Sequence, residues 1–163
     1  MDKEFLIRVN DSLKKVKTQI LLNEKIRTML YFDNIDEDTI APSIEQVADH
    51  IFIQPIIKVE TTEPFNKKNY ITITVPESGR SVNKMEYTFR IIVMCDKSCW
   101  DLNGDIRPLL ISQEIVNIFE NFKLELSNTM QFNSLVETVT NEDVYGYSIL
   151  FEVSDGISDL NDE

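Results

Sequence analysis

The sequence contains little glycine, proline, cysteine or histidine. Its 163 residues include four Gly, five Pro, two Cys and one His. So few Gly and Pro exclude collagen-like and proline-rich classes. Four dispersed glycines also cannot supply a P-loop or a dinucleotide-binding fingerprint. The sequence therefore offers no motif for nucleotide chemistry.

The two cysteines, Cys95 and Cys99, are too few to staple a domain of this size. No further Cys or His pair completes four zinc ligands. We interpret them as free thiols that act as small hydrophobes at a strand end. A reactive thiol pair in a small enzyme is the alternative.

The single histidine, His50, follows Asp49 and precedes an apolar segment. A His–Asp pair could form two thirds of a catalytic triad, but neither a Gly-x-Ser-x-Gly elbow nor a reactive-cysteine signature accompanies it. The segment Asp101–Asp105 resembles the start of a calcium loop. Its glycine is not at the sixth position, however, and Ser112 stands where the twelfth-position Glu belongs. We interpret His50 as structural and Asp101–Asp105 as a turn, and predict no catalytic, metal or cofactor site.

Basic residues are also scarce: 16 Lys and Arg face 28 Asp and Glu, a net charge of −12. This balance argues against nucleic-acid binding, which depends on cations that displace counterions from phosphates. No apolar run approaches the roughly 18 residues that cross a bilayer. The N-terminus shows no secretion signal, so we expect the chain to stay in the cytosol of the cell that makes it and to have no membrane partner.

Hydrophobic residues make up 42% of the chain and charged residues 27%, a composition typical of a folded domain. The length suits a single domain, which we place at residues 1–154. Acid-rich segments predict a surface linker at about 33–43 and a flexible tail at 155–163.

Helical periodicity appears in three places. Apolar residues at steps of three and four predict a helix from about Lys3 to Gln19. Asn23 is typical of the N-cap of a short second helix. Pro108 suits a first helical turn, and the stripe from Ile111 to Phe122 predicts a helix of about 17 residues.

Alternating patterns predict the strands. The segment from Asp49 to about Val59 contains Pro55, which favours an edge strand or a bulge. Tyr70–Val75 and Met85–Val93 predict a hairpin with a long mobile tip at about 76–84. A short strand at Phe132–Val136 and a last strand at Tyr145–Val153 follow.

The element order α-α-β-β-β-α-β-β predicts an α+β fold. A mostly antiparallel sheet of about five strands packs one face on the helices. Thr and Glu at alternate positions predict that the second face is polar, solvated or covered by a partner.

Four segments carry a resemblance to a known family: Phe89–Val93, Trp100–Gly104, Ile106–Ile111 and Asp143–Val153. Together with the element order, they resemble the tail-terminator and tail-completion ring proteins of tailed bacteriophages. The resemblance spans about Phe5 to Val153. It departs from that family in its long acidic linker and in the strand that carries Pro55.

The resemblance implies a structural protein of the virion neck, made in the host cytoplasm, which forms a homo-oligomeric ring between head and tail. Its partners would be further copies of itself and other neck, portal-proximal or tail proteins. DNA would pass through without specific binding, and an acidic channel wall would favour such passage because it repels phosphates. A small cytosolic enzyme and an adaptor unrelated to phage are the alternatives.

Two groups of residues are candidates for these roles. Those expected at a ring or neighbour interface are the hairpin tip and one aromatic residue: Glu77, Ser78, Gly79, Arg80, Ser81 and Trp100. Trp100 fits either an interface anchor or a plug in the local core. The acids expected to face the channel lie in loops beside strand ends: Glu77, Glu137, Glu142 and Asp143.

Overall fold

A computed structural model describes residues 3–53, 68–76, 78–81, 84–124, 128–139 and 142–155. These residues form four helices: α1 (Lys3–Leu22), α2 (Glu24–Tyr31), α3 (Ile44–Val47) and α4 (Arg107–Phe119). Their strands are β1 (Ile51–Ile53), β2 (Asn69–Thr74), β3 (Ser78–Ser81), β4 (Lys84–Asp96), β5 (Asp101–Leu102), β6 (Asp105–Ile106), β7 (Asn128–Val139) and β8 (Val144–Asp155). None of the helices in these ranges is long and apolar enough to cross a membrane.

Six strands form one sheet. Its main path runs β1-β2-β4-β8-β7, and β3 pairs with the first residues of β4. Every pairing is antiparallel except that of β1 with β2. The predicted α+β class, with a mostly antiparallel sheet packed on helices, is confirmed.

The core lies between the sheet and its helices. One face of the sheet contributes side chains that are buried to 1% exposure or less, and the helices pack on them. The strand periodicity places apolar side chains on this face of the sheet, and the helical periodicity places apolar side chains on the facing sides of the helices. Together they form one core. The central members are Ile71, Ile73, Phe89, Ile91, Val93, Ile149 and Phe151 from the sheet and Val16, Ile20, Ile26, Leu30, Ile111, Ile115 and Phe119 from the helices.

The second face of the sheet differs from the prediction near β2. All six residues of β2 are buried, including Thr72 and Thr74 on this face. This part of the face is therefore buried and not solvated. On β8 the same face opens to solvent at Glu152. Alternation of polar and apolar residues does not reveal cover that comes from elsewhere in the chain.

The helices confirm most of the periodicity. The Asn23 side chain accepts a hydrogen bond from the backbone N–H of Ile26, which caps α2 as predicted. Helix α1 runs three residues further than expected, to Leu22. Helix α3 was not predicted, although Ser43 and Gln46 form a capping box whose sequence pattern was present.

Helix α4 is shorter than the predicted 17 residues because the chain leaves it after Phe119. Asn121 takes a left-handed conformation (φ 62°), and Phe122 bonds the backbone of Met130 instead of continuing the helix. The strand that follows, β7, has 12 residues where a short strand at Phe132–Val136 was expected. Tertiary pairing with β8 extends it at both ends.

The segment expected to form a mobile hairpin tip at 76–84 is partly a strand. Ser78 to Ser81 form β3, and Ser78 pairs with Tyr87 while Ser81 pairs with Lys84. The pairing satisfies backbone groups that a loop would leave to water. Glu77 and residues 82–83 lie outside the described residues, as do Pro55, most of the predicted strand to Val59, and the tail from 156.

One buried cation joins the elements. The Arg107 side chain is fully buried at the start of α4. Its guanidinium donates hydrogen bonds to the carbonyl oxygens of Met29 and Phe32 at the end of α2, each at 2.6 Å, and to that of Asp33. Its Nε donates to the Cys99 carbonyl at 2.6 Å. Because the last carbonyls of a helix lack intrahelical partners and carry partial negative charge, this cation both satisfies and neutralises the end of α2.

We expect Arg107→Met to lower the free energy of unfolding by at least about 3 kcal/mol, because several buried carbonyls lose their donor. Urea denaturation followed by circular dichroism measures the loss. Arg90→Met, at a half-buried arginine on the second face of the sheet, is the matched control and is expected to cost less than about 1 kcal/mol. Equal losses in the two variants would contradict the role given to Arg107.

Candidate interaction surface

His50 lies at a junction inside the fold. Its ring is buried, and Nδ1 lies 2.8 Å from the carbonyl oxygen of Asn69 at the start of β2. Asp49 Oδ1 is 4.0 Å from Nε2 on the exposed side of the ring. The histidine thus fixes the turn before β1 to the neighbouring strand.

The two cysteines are free and buried. Burial raises the pKa of the Cys95 thiol. Burial also raises the pKa of Cys99, and the nearby Asp33 carboxylate, which accepts a hydrogen bond from Cys99 Sγ at 3.3 Å, adds to the rise. Since the thiolate is the nucleophile, burial and a raised pKa lower the reactivity of both thiols at neutral pH.

Asp33 connects the predicted linker to the sheet. Its Oδ2 accepts a hydrogen bond from Lys68 Nζ at 2.7 Å. The bond from Lys68, followed by that from Cys99, holds the pKa of Asp33 below its ordinary value. The linker therefore contains an anchored carboxylate, which acid content alone did not distinguish from its solvated neighbours.

The segment Asp101–Asp105 forms a hairpin. Asn103 (φ 56°) and Gly104 (φ 91°) make the two-residue turn between β5 and β6. Two positive φ values at an Asn-Gly pair are typical of a type I′ turn, and that dipeptide was a hairpin signal in the sequence. Asp101 Oδ1 accepts a hydrogen bond from the Gly104 N–H. Among the described residues no three His, Cys, Asp or Glu side chains cluster as metal ligands do.

Strand β7 forms one border of the sheet, and its first half is covered. Asn121 and Phe122 bond the backbone of Met130 on the side away from β8. The Phe132 N–H donates to Glu120 Oε2 at 2.6 Å on the same side. These contacts protect the strand as far as Phe132.

The second half of β7 has no pairing strand on its outer side within the described part of the chain. After a register shift between Phe132 and Ser134, no described strand pairs with the outer side of Ser134–Val139, which we call the β7 edge. Because backbone groups alternate in direction along an antiparallel ladder, those of Leu135, Glu137 and Val139 point outward. Leu135, Val136 and Val139 are 38%, 58% and 58% exposed. Outward-pointing backbone groups and exposed apolar side chains are the features that strand addition uses.

Trp100 lies near one end of the β7–β8 hairpin. Its half-buried ring packs edge-on against Tyr145 at 5.8 Å between centroids. Tyr145 pairs with Val139 in the ladder, so the Trp100–Tyr145 pair adjoins the β7 edge. Trp100 therefore packs on Tyr145, whose strand partner is Val139 at the end of the β7 edge.

Three of the four acids expected at a channel lie at this same end. Glu137, Glu142 and Asp143 are exposed, and Glu142 and Asp143 occupy the turn between β7 and β8. Asp143 pairs with Lys97 at 2.6 Å. Glu77 lies outside the described residues.

The residues expected at a ring interface do not form one surface. Trp100 follows the last residue of β4 closely, whereas Ser78, Gly79, Arg80 and Ser81 pair with the first residues of β4. The two groups thus lie at opposite ends of a 13-residue strand. The β7 edge, which adjoins Trp100, was not singled out from the sequence, although the β-branched Thr138 and Val139 extended the strand pattern there.

We expect both thiols to react slowly in the native protein, because burial and a raised pKa leave little accessible thiolate. Labelling with a chromogenic disulfide reagent in buffer, and again in urea, measures the rate for each cysteine in Cys95→Ser and Cys99→Ser. Fast labelling of either thiol in buffer, at the rate seen in urea, would contradict this assignment.

Asp33 predicts a specific acid sensitivity. Its pKa is lowered in the folded protein, so its contribution to stability is present above the ordinary value of 3.8 and is lost as pH falls through the folded pKa. We expect the unfolding free energy of Asp33→Asn to fall less than that of the unmodified protein between about pH 5 and pH 2. Asp38→Asn, at an exposed acid of the same linker, is the control. Parallel pH profiles for the unmodified protein and Asp33→Asn would refute the role of Asp33.

Comparison with protein families places most of the chain in one of them. No curated protein matches the chain. The YomW family matches residues 23–153, which extend from the N-cap of α2 through most of β8. The chain belongs to the YomW family.

Proposed function

We propose that this protein is a structural subunit of a homo-oligomeric ring in the neck of a tailed bacteriophage, where it terminates or completes the tail. It is made in the host cytoplasm and becomes part of the virion. The resemblance of its motifs to tail-terminator and tail-completion proteins motivates the proposal. The β7 edge is the structural observation that carries it.

The two borders of the sheet favour a ring over a two-fold dimer. β7 is open along Ser134–Val139, and at the other border β1 pairs, among the described residues, only with β2. Ile53 of β1 is 37% exposed. A contact between two unlike borders is heterologous, and repeated heterologous contacts close into rings when the rotation per subunit permits. Under this proposal β7 of one subunit meets the β1 side of the next.

The distribution of charge also favours the β7 edge as the subunit contact. Each chain carries −12, so neighbouring subunits repel one another over a screening length of roughly 8 to 10 Å in physiological salt. A subunit contact is favoured where charge is sparse and backbone and apolar groups dominate. The β7 edge contains one charged residue, Glu137.

The acids at the hairpin end would then line or border the channel. Glu137, Glu142 and Asp143 would present carboxylates to passing DNA, which repel its phosphates and let the genome slide without specific binding. Portal-proximal, neck and tail proteins would contact the two faces of the ring. An enzyme centred on Cys95, Cys99 or His50 is less well supported, because both thiols are protonated and the histidine is buried against backbone.

We expect the unmodified protein to form assemblies many times its 18.9 kDa mass at high concentration, and Leu135→Glu combined with Val139→Glu to remain monomeric. Two added charges on the β7 edge repel a neighbouring strand without entering the core. Sedimentation velocity and light scattering measure the mass, and circular dichroism checks the fold.

The matched control places two glutamates at exposed apolar positions of α1, Ile7 (61%) and Leu22 (54%). This control is expected to assemble like the unmodified protein. The ring proposal is wrong if the folded, unmodified protein stays monomeric at every concentration. If it assembles but the β7 variant does so equally well, the ring contact lies elsewhere.

A further inference from the structure

A cleft opens on the side of the molecule formed by α2, the linker, the β5–β6 turn and α4. Its volume is about 460 Å³, within the range of sites that accept a ligand or a partner side chain. Its walls contain apolar residues below and polar residues around the mouth. Met29, Ile35 and Leu110 are among the apolar residues, and Lys25, Asn103 and Glu114 are among the polar ones.

The linker wall of this cleft is fixed at both ends. Arg107 holds its beginning through the carbonyls of Phe32 and Asp33. Arg27 holds its end, since Nε donates to the Pro42 carbonyl at 2.9 Å while Nη1 donates to the Leu21 carbonyl at 2.7 Å. Between them, Asn103 Nδ2 donates to the Ile35 carbonyl at 3.1 Å. The cleft is therefore formed before any partner binds, which lowers the entropic cost of docking.

Apolar residues line the interior of the cleft. Met29, Ile35, Leu102 and Leu110 line its interior. Ile40, on the linker beside the cleft residues Thr39 and Ala41, is 85% exposed. The four interior residues give an inserted side chain an apolar environment.

The charge around the cleft is strongly negative. Asp36, Glu37 and Asp38 are exposed on the linker, and none of them forms an ion pair with another described residue. The one lysine at the mouth, Lys25, already pairs with Glu114 at 3.3 Å. Acidic partners, nucleic acid and a second copy of this chain would all be repelled, whereas a cationic partner would be attracted.

We propose that this cleft docks a basic, amphipathic segment of another protein. An apolar side chain of that segment enters between Met29, Ile35 and Leu110, and its Lys or Arg residues face Asp36, Glu37 and Asp38. Because the cleft lies between α2 and α4 and the β7 edge lies on the border of the sheet, this docking does not depend on the ring proposal.

The test uses a fluorescent helical peptide with Leu on one face and Lys on the other, titrated with the full-length protein and followed by anisotropy. Two companion peptides separate the contributions: one replaces Leu by Ser, and one replaces Lys by Glu. We expect the Leu/Lys peptide to bind at least about tenfold more tightly than either companion, a difference of about 1.4 kcal/mol. Equal binding of the Ser peptide would mean attraction to net charge alone and would overturn the proposal, as would equal binding of the Glu peptide.

A matched pair of variants locates the site. Thr28→Trp fills the cleft, and Thr18→Trp makes the same change on α1; each threonine donates to the carbonyl four residues earlier in its helix, at 2.8 and 2.9 Å. We expect Thr28→Trp to weaken binding by about tenfold and Thr18→Trp to leave it within about twofold. Unchanged binding by a folded Thr28→Trp protein would overturn the proposal.

A double variant, Glu37→Gln with Asp38→Asn, removes two negative charges from the linker. The control double variant, Asp11→Asn with Glu142→Gln, removes the same charge at exposed positions away from the cleft. We expect the linker variant to lose at least about threefold in affinity and to show a weaker dependence on salt than the control. Equal losses in both variants would show that net charge, and not the linker, attracts the peptide, and would overturn the assigned orientation.

Discussion

The guanidinium of Arg107 joins parts of the chain that no continuous strand or helix connects. Arg107 is the first residue of α4. Its guanidinium donates hydrogen bonds to the Met29 carbonyl in the last turn of α2 and to the Cys99 carbonyl just before β5. A cation buried without a carboxylate in direct contact is stable only where dipoles replace its lost hydration, and the carbonyls at the end of α2 provide them. The linker starts at these same carbonyls. The core arrangement of α2 and α4 and the cleft between them therefore depend on one side chain.

The β7 edge and the cleft between α2 and α4 differ in chemistry. The β7 edge offers unpaired backbone and apolar side chains along a border with little charge, which suits addition of a strand. The cleft offers an apolar interior within an acidic rim, which suits a side chain carried by a cationic segment. Strand addition depends on backbone hydrogen bonds and tolerates many sequences, whereas the cleft selects by shape and charge. Under the two proposals, the β7 edge contacts identical copies and the cleft contacts a distinct partner.

The histidine, one of the two cysteines and Asp33 each form a hydrogen bond to another segment of the fold. His50 joins the turn before β1 to β2, Cys99 donates to Asp33, and Asp33 binds Lys68. Each polar group meets a partner inside the fold, and burial keeps the thiols protonated. In this chain these polar side chains link segments that are distant in the sequence.

The sequence by itself determined the α+β class, most of helix α1, the Asn23 cap and the antiparallel pairing of β2 with β4, because periodicity and capping act over a few neighbouring residues. It did not show that β2 is buried on both faces, that Ser78–Ser81 pair with β4, or that β7 extends to Val139. Those features depend on pairing and cover from distant parts of the chain. Only the tertiary structure could make Arg107 the anchor of α2 and leave the β7 edge open, since both depend on which segments meet in space.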